Sequence, residues 1–93
     1  MRLKFGFASY RPEQWERLRS ISEDKDDLED TYDEWLPAAQ TRFEELKRSG
    51  TDIVQVEVDV EDLVGWCRSR NLSINAQSRS QFAAHKLREL DAE

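Results

Sequence analysis

The chain has 93 residues, a net charge of −6, 38% hydrophobic residues and 37% charged residues. This acidic balance argues against nucleic acid and anionic membranes as binding partners, since both bind basic protein surfaces. No apolar run approaches the roughly 20 residues of a transmembrane helix, and Cys67 is the only cysteine, so we expect one cytoplasmic domain, residues 1–93, without disulfides.

The N-terminal part of the chain is predicted to form a strand followed by a short helix. Leu3, Phe5 and Phe7 alternate with basic residues or glycine, and a period of two indicates a half-buried strand. Apolar residues then recur at spacings of three, which predicts a helix over residues 12–21. Pro12 would occupy its first position, where proline is tolerated.

A long apolar stripe follows and predicts one helix over residues 24–49. Its members recur at spacings of three and four, as one face of a helix requires: Leu28, Tyr32, Trp35, Leu36, Ala39, Phe43 and Leu46. Gly50 fits the position just after the helix. Pro37 lies in the middle and predicts a kink, because proline removes one helical hydrogen bond.

The second half of the chain is predicted to form a strand and two helices. The strand is indicated by alternating β-branched residues, namely Val54, Val56, Val58 and Val60. Asp59 suits the N-cap of the next helix, and Asn71 suits the left-handed position that ends it. After a short connection over residues 72–74, Asn75 can cap the last helix.

These elements predict a mostly helical α+β fold with the order β-α-α-β-α-α, a two-stranded sheet and about four helices. The two strands are expected to pair because a lone strand leaves its backbone polar groups without partners. The phenylalanines and valines would share the face that carries the helices. On the outer face, Arg2 and Lys4 would oppose Glu57 and Asp59. Pairing within one chain and pairing between chains both remain open.

The segment from residue 23 to residue 34 contains eight carboxylates and one lysine. In a helix, Asp26, Asp30 and Glu34 would share one face and could hold a hard cation. A calcium-binding EF-hand loop needs a glycine that this segment lacks. We expect instead a solvated helix face or a partner-binding surface formed by Asp26, Asp30, Asp33 and Glu34, without tight metal binding.

His85 is the only histidine, and Cys67, the only cysteine, is a candidate nucleophile for it to activate. A catalytic pair would need the two side chains within hydrogen-bond reach. The spacing of Cys67 from Leu63 indicates a small buried hydrophobic residue instead. The chain also lacks a phosphate-binding glycine loop and the short motifs of zinc and serine hydrolases. We therefore expect no catalytic residue and no cofactor.

Several pieces of the sequence occur in a characteristic order between roughly residue 10 and residue 87. They are Tyr10, Pro12, Trp15, Leu28, Thr31, Glu34, Trp35, Gly50, Val58, Asp59, Leu63, Trp66, Cys67, Arg79 and Phe82. In this order the chain resembles a family of small single-domain bacterial proteins of unknown function. The resemblance implies a free-standing bacterial protein and brings no activity, ligand or catalytic residue with it.

The first functional hypothesis is a small non-enzymatic interaction or regulatory protein, which binds a protein partner or associates with itself as a dimer. The alternative is a module that binds a small molecule or a metal through the acidic helix face. An enzyme built around His85 has the least support, because no catalytic constellation accompanies it.

Overall fold

A computed structural model of the chain describes residues 4–91. The strands and helices follow in the predicted order: β1 (Phe5–Ser9), α1 (Trp15–Ile21), α2 (Tyr32–Arg48), β2 (Ile53–Glu57), α3 (Val60–Ser69) and α4 (Ala76–Asp91). Single 3-10 turns precede α1 and α2, at Pro12–Gln14 and Lys25–Asp27. Among the helices of residues 4–91, none has the length and apolar content that crossing a membrane demands.

The two strands pair in parallel within one chain, with Phe5 opposite Ile53 and Ser9 opposite Glu57. Parallel strands need a long crossover connection, which α1 and α2 provide here. The pairing of two strands was predicted. The predicted outer-face contact between Lys4 and Glu57 is wrong, because the register places these residues at opposite ends of the sheet. Residues 1–3, with Arg2 and Leu3, lie outside the described residues.

The predicted shared face of phenylalanines and valines is also wrong. In this register Phe7 lies beside Gln55, and Ala8 lies beside Val56. The valines therefore share a face with Gly6 and Ala8, which we term the α4 face because α4 packs on it. Phe5 and Phe7 lie on the opposite side, termed the α2 face, where the ring of Phe7 contacts Phe43 of α2.

The core lies between the α4 face of the sheet and helices α1, α3 and α4. Val56 and Val58 are buried, as predicted, together with these residues of the helices: Trp15, Leu18, Val60, Leu63, Cys67, Phe82 and Ala83. Gly6 is where α4 comes closest to the sheet. A Cβ atom there would lie 2.8 Å from the carbonyl oxygen of Ala83, so only glycine permits this approach.

The predicted caps mark the ends of the helices. The carboxylate of Asp59 accepts hydrogen bonds from the backbone of Glu61 and Asp62. This cap ends β2 earlier than predicted and makes Val60 the first residue of α3. Asn71 and Gly50 adopt positive φ angles of 56° and 89° after their helices. The side chain of Asn75 accepts a hydrogen bond from the backbone of Ser78 at the start of α4.

The predicted helix over residues 24–49 begins later, at Tyr32. The hydroxyl of Thr31 accepts a hydrogen bond from the backbone N–H of Glu34, and this N-cap starts a new helix after the 3-10 turn. Asp26, Asp30 and Glu34 therefore do not share one helix face. Helix α2 continues through Pro37, and the bend at Pro37 stays a prediction.

Helix α2 has 17 residues, and none of them is buried. Most of its apolar stripe covers the α2 face of the sheet, through contacts such as that between Phe43 and Phe7. Trp35 reaches the edge of the core, where it contacts Tyr10 and Trp15. Trp35 and Leu46 are only partly buried, so one side of the stripe remains open to solvent next to β1.

Candidate functional site

The outer edge of β1 carries backbone groups that no other strand uses. Phe5 N donates to Asp52 O at 2.9 Å, and Val58 N donates to Ser9 O at 2.8 Å. Since alternate residues of a parallel strand bond to the same side, the intervening Gly6 and Ala8 direct their N–H and C=O groups away from β2. Within residues 4–91 the sheet has only two strands, so this edge is unpaired.

A groove of about 570 Å³ runs along this edge. Its floor is β1, and its walls belong to helices on opposite faces of the sheet. The walls are formed by Trp35, Arg42 and Leu46 of α2 and by Ala76, Arg79 and Ser80 of α4, and Thr51 and Ile53 line the groove beside Phe5. In this surface, termed the β1 groove, the edge of β1 lies recessed between two helices.

The direction of α2 determines which of its residues lie at each end of the β1 groove. Ring contacts place Tyr10 beside Trp35, with 5.6 Å between the ring centroids, and Phe7 beside Phe43, at 5.5 Å. Helix α2 therefore runs antiparallel to β1, and Leu46 lies toward the Phe5 end. The Phe5 end is apolar and open, with 52% of Phe5 exposed.

The charge of the β1 groove is opposite to that of the protein. The chain has 20 aspartates and glutamates, yet the residues that line the groove include two arginines and no carboxylate. Arg42 lies exposed on α2 and makes no ion pair with any residue between 4 and 91. The groove is thus a locally basic, largely apolar surface on an acidic protein.

Arg79 is already bound by a carboxylate from the acidic segment. Its two terminal nitrogens each donate to an oxygen of Asp24 at 2.8 Å, and one of them also donates to Ser22 Oγ at 3.2 Å. Asp24 Oδ2 further accepts from the backbone N–H of Ala76 at 3.2 Å. The hydrogen bonds from Arg79 lower the pKa of Asp24. Asp24 therefore ties residues 22–24 to the start of α4.

Tyr10 lines the groove at the end opposite Phe5 and is 7% exposed. Its ring packs against Trp15 and Trp35. Burial raises the pKa of Tyr10 to about 12, so the hydroxyl stays neutral at physiological pH. No described side chain or backbone group hydrogen-bonds with this hydroxyl, which leaves a polar group for a ligand at the end of the groove.

The predicted partner-binding residues are all exposed but lie on different elements. Asp26 belongs to the 3-10 turn, and Asp30 precedes α2 and pairs with Arg19 at 3.3 Å. Asp33 and Glu34 occupy the first turn of α2. Their role as a partner surface stays a prediction. The described residues contain no group of three or more histidines, cysteines or carboxylates that could hold a metal ion.

His85 is held by contacts within and beside α4. Its Nε2 lies 2.6 Å from Glu89 Oε1, and its ring packs against Trp66 and Phe82. Cys67 is buried, with 1% of its surface exposed. No hydrogen bond joins His85 to Cys67 in residues 4–91, so the structure does not bring this candidate pair together.

Sequence reasoning missed both the β1 groove and the Asp24–Arg79 pair. The two charged residues are 55 positions apart, so no local spacing connects them. The groove depends on which residues of β1 face outward, and that follows from the register and not from the sequence of β1 alone. The local signal in the sequence was the pair of small residues, Gly6 and Ala8, which alternate with Phe5 and Phe7 in β1.

Comparison of the chain with models of protein families, with curated proteins and with solved structures gave no match. The resemblance to a small bacterial family, carried by residues between 10 and 87, therefore stays a prediction.

Proposed function

We propose that this chain is a non-enzymatic protein-interaction module that binds an extended segment of a partner along the β1 groove. The observation that carries the proposal is the unpaired edge of β1 on the groove floor. A partner segment in β conformation would supply hydrogen bonds to the outward N–H and C=O groups of Gly6 and Ala8. Adding a strand to an exposed sheet edge is a recurrent mode of peptide recognition.

Because the edge of β1 is recessed, a single extended segment fits it better than the sheet of a second folded protein. Residues of both α2 and α4 line the groove, so any occupant must fit between two helices. A second copy presents its own β1 at the bottom of an equivalent groove. Two such edges cannot approach to the roughly 4.8 Å spacing of paired strands unless the helices move.

The apolar end of the groove supports the same proposal. Phe5 and Leu46 offer apolar surface beside the open edge, and burying such surface contributes about 25 cal/mol per Å². Backbone hydrogen bonds to Gly6 and Ala8 would set the orientation of the bound segment. Its apolar side chains would contribute most of its affinity for the groove. Neither contribution needs a catalytic residue or a cofactor.

The test selects peptides from a phage-displayed library of random ten-residue segments and maps their binding by amide hydrogen exchange. We expect protection of the Gly6 and Ala8 amides. The variant Ala8→Pro removes one outward N–H and no β1–β2 hydrogen bond, so the fold should persist while affinity falls at least about tenfold.

Gln55→Pro is the matched control, because the N–H of Gln55 points to the opposite edge of the sheet by the same alternation. It should leave the affinity for the selected peptides unchanged. Peptides that protect residues 26–34 or α3, with Gly6 and Ala8 still exchanging freely, would overturn the proposal.

A small apolar carboxylate is the second candidate. The groove volume of about 570 Å³ lies within the range of small-molecule sites, about 300–1,000 Å³, and Tyr10 and Arg42 offer polar contacts. For this candidate, decanoate should raise the thermal midpoint while decanol does not. Binding should survive Ala8→Pro, because a small ligand does not need the Ala8 N–H. Loss of decanoate binding in Ala8→Pro, or equal effects of the two ligands, would contradict it.

A further inference from the structure

We propose that the segment bound in the β1 groove is acidic, and that Arg42 selects it by pairing with a carboxylate side chain of the segment. The inference rests on the proposed function, since it specifies the chemistry of the same site. The partner is therefore a protein with an extended segment that combines an acidic residue with apolar ones.

The two arginines of the groove differ in whether a carboxylate of the chain already binds them. Both terminal nitrogens of Arg79 are engaged by Asp24 at 2.8 Å, which neutralises that arginine. Arg42 has no ion pair with the described residues. It is exposed on the wall of a groove whose lining residues include no carboxylate. A carboxylate from outside the chain would complete this surface.

Arg42 lies near the middle of the groove. It immediately precedes Phe43, whose ring contacts Phe7 in the middle of β1. An extended segment paired with β1 would therefore pass Arg42 near its own midpoint. Residues of such a segment face the α2 wall and the α4 wall alternately, so the acidic residue belongs to the set that faces α2.

The spacing of Arg42 and Leu46 on α2 determines which residue of the segment should be apolar. Leu46 follows Arg42 by one turn of α2, a rise of about 6 Å. Two residues of an extended strand span about 6.6 Å, which matches this rise. The segment should therefore carry an apolar residue two positions from the acidic one, on the side that leads toward Phe5 and Leu46.

The charge of the rest of the protein adds specificity. With a net charge of −6, the protein repels acidic segments at long range, and an ion pair with Arg42 would favour them only inside the groove. Repulsion of this kind disfavours acidic segments that cannot reach Arg42.

The test compares library selections on the native protein, on Arg42→Gln and on Arg48→Gln. Arg48 is an exposed arginine of the same helix that does not line the groove, so its replacement controls for net charge. We expect enrichment of Asp or Glu two positions from an apolar residue on the native protein and on Arg48→Gln, and no such enrichment on Arg42→Gln.

Affinities then separate the side-chain carboxylate from the peptide C-terminus. Replacing the enriched acidic residue by its amide should weaken binding about threefold to fivefold, as expected for an exposed ion pair. Amidating the C-terminus should change nothing. The charge-reversed variant Arg42→Glu should prefer a peptide with lysine at the same position.

Failure of the inference about Arg42 can be distinguished from failure of the proposed function. If peptides protect Gly6 and Ala8 but the acid and amide forms bind equally to the native protein, the inference about Arg42 is wrong and the proposed function stands. A loss that follows C-terminal amidation in place of side-chain amidation overturns the inference in the same way. If no selected peptide protects Gly6 and Ala8, both fall together.

Discussion

The two faces of the sheet differ in how tightly their helices pack. On the α4 face, Val56, Phe82 and Ala83 are almost inaccessible to solvent, and α4 approaches so closely that Gly6 cannot carry a side chain. On the α2 face, 17 residues of helix contribute no buried side chain. One face thus holds the fold together, while the other leaves space beside β1 for a ligand.

The largest effect that sharpens this comparison is expected from Leu63→Ala. Leu63 of α3 is completely buried in the core, so its truncation should leave a cavity and lower the free energy of unfolding by about 3 kcal/mol. Urea denaturation measures the loss as a lower midpoint with an unchanged slope. Leu46→Ala, on the groove wall of α2, should cost less than about 1 kcal/mol, and equal losses would contradict the contrast.

The next largest effect is expected from Asp24→Asn, which removes the charge that binds Arg79. Arg79 is 11% exposed, and leaving this guanidinium without its carboxylate should cost about 2 kcal/mol at neutral pH. Asp30→Asn is the control. Its carboxylate is 81% exposed, so its loss should be too small to resolve in the same denaturation experiment.

The effect of Asp24 should also depend on pH. The pKa of Asp24 is lowered in the folded protein. The Asp24 carboxylate therefore stabilises the fold fully at any pH above the unfolded-state pKa of about 3.9. This stabilisation is lost as the pH falls through the lower folded-state pKa. The native protein and Asp24→Asn should therefore converge in stability in strong acid, and a constant difference down to pH 2 would argue against the ion pair.

A smaller effect is expected from Gly6→Ala. The added Cβ would lie 2.8 Å from the Ala83 carbonyl oxygen, so β1 and α4 must separate, at a cost of about 1–2 kcal/mol. Gly65→Ala is the control, since nothing lies within 4 Å of a Cβ on that residue of α3. Because alanine favours a helix over glycine, this second change should raise the denaturation midpoint.

The smallest effect is expected from Phe43→Ala on the α2 face. Phe43 is only partly buried, and its main ring contact is with Phe7 at 5.5 Å, so its truncation should cost about 1 kcal/mol. Amide exchange should accelerate within α2 and remain slow in α3. A loss as large as that of Leu63→Ala would show that the two faces are equally important for stability.

The elements could be predicted from the sequence where a local signal decides them. The cap at Asp59, the left-handed Asn71 and the glycine after α2 each depend on the chemistry of one residue, and all three appear where expected. The burial of Val56 and Val58 likewise follows from alternation in a β-branched strand.

The faces of the sheet could not be predicted in the same way. Alternation in β1 shows that Phe5 and Phe7 share a side but not which side, because the partner and its register decide that. The phenylalanines are larger than Gly6 and Ala8, so a local reading assigns them to the core. The close approach of α4 requires the opposite assignment, and the site at the edge follows from it.

The start of α2 could not be predicted because two signals competed. Acidic residues after residue 23 suit the first turn of a helix, but Thr31 and Glu34 form a stronger cap further along. The predicted placement of Asp26, Asp30, Asp33 and Glu34 on one helix is wrong for this reason. Their place as a contact surface remains a prediction.

The parallel pairing of β1 with β2 has a consequence for the order of folding. Phe5 and Ile53 are partners although 48 positions separate them, so the sheet forms only after a long loop has closed, and loop closure costs entropy before any strand contact forms. Helices α3 and α4 are neighbours in sequence and in contact, and need no such closure. We expect α3 and α4 to associate first and β1 to join last, so that the binding edge is created in the final step of folding.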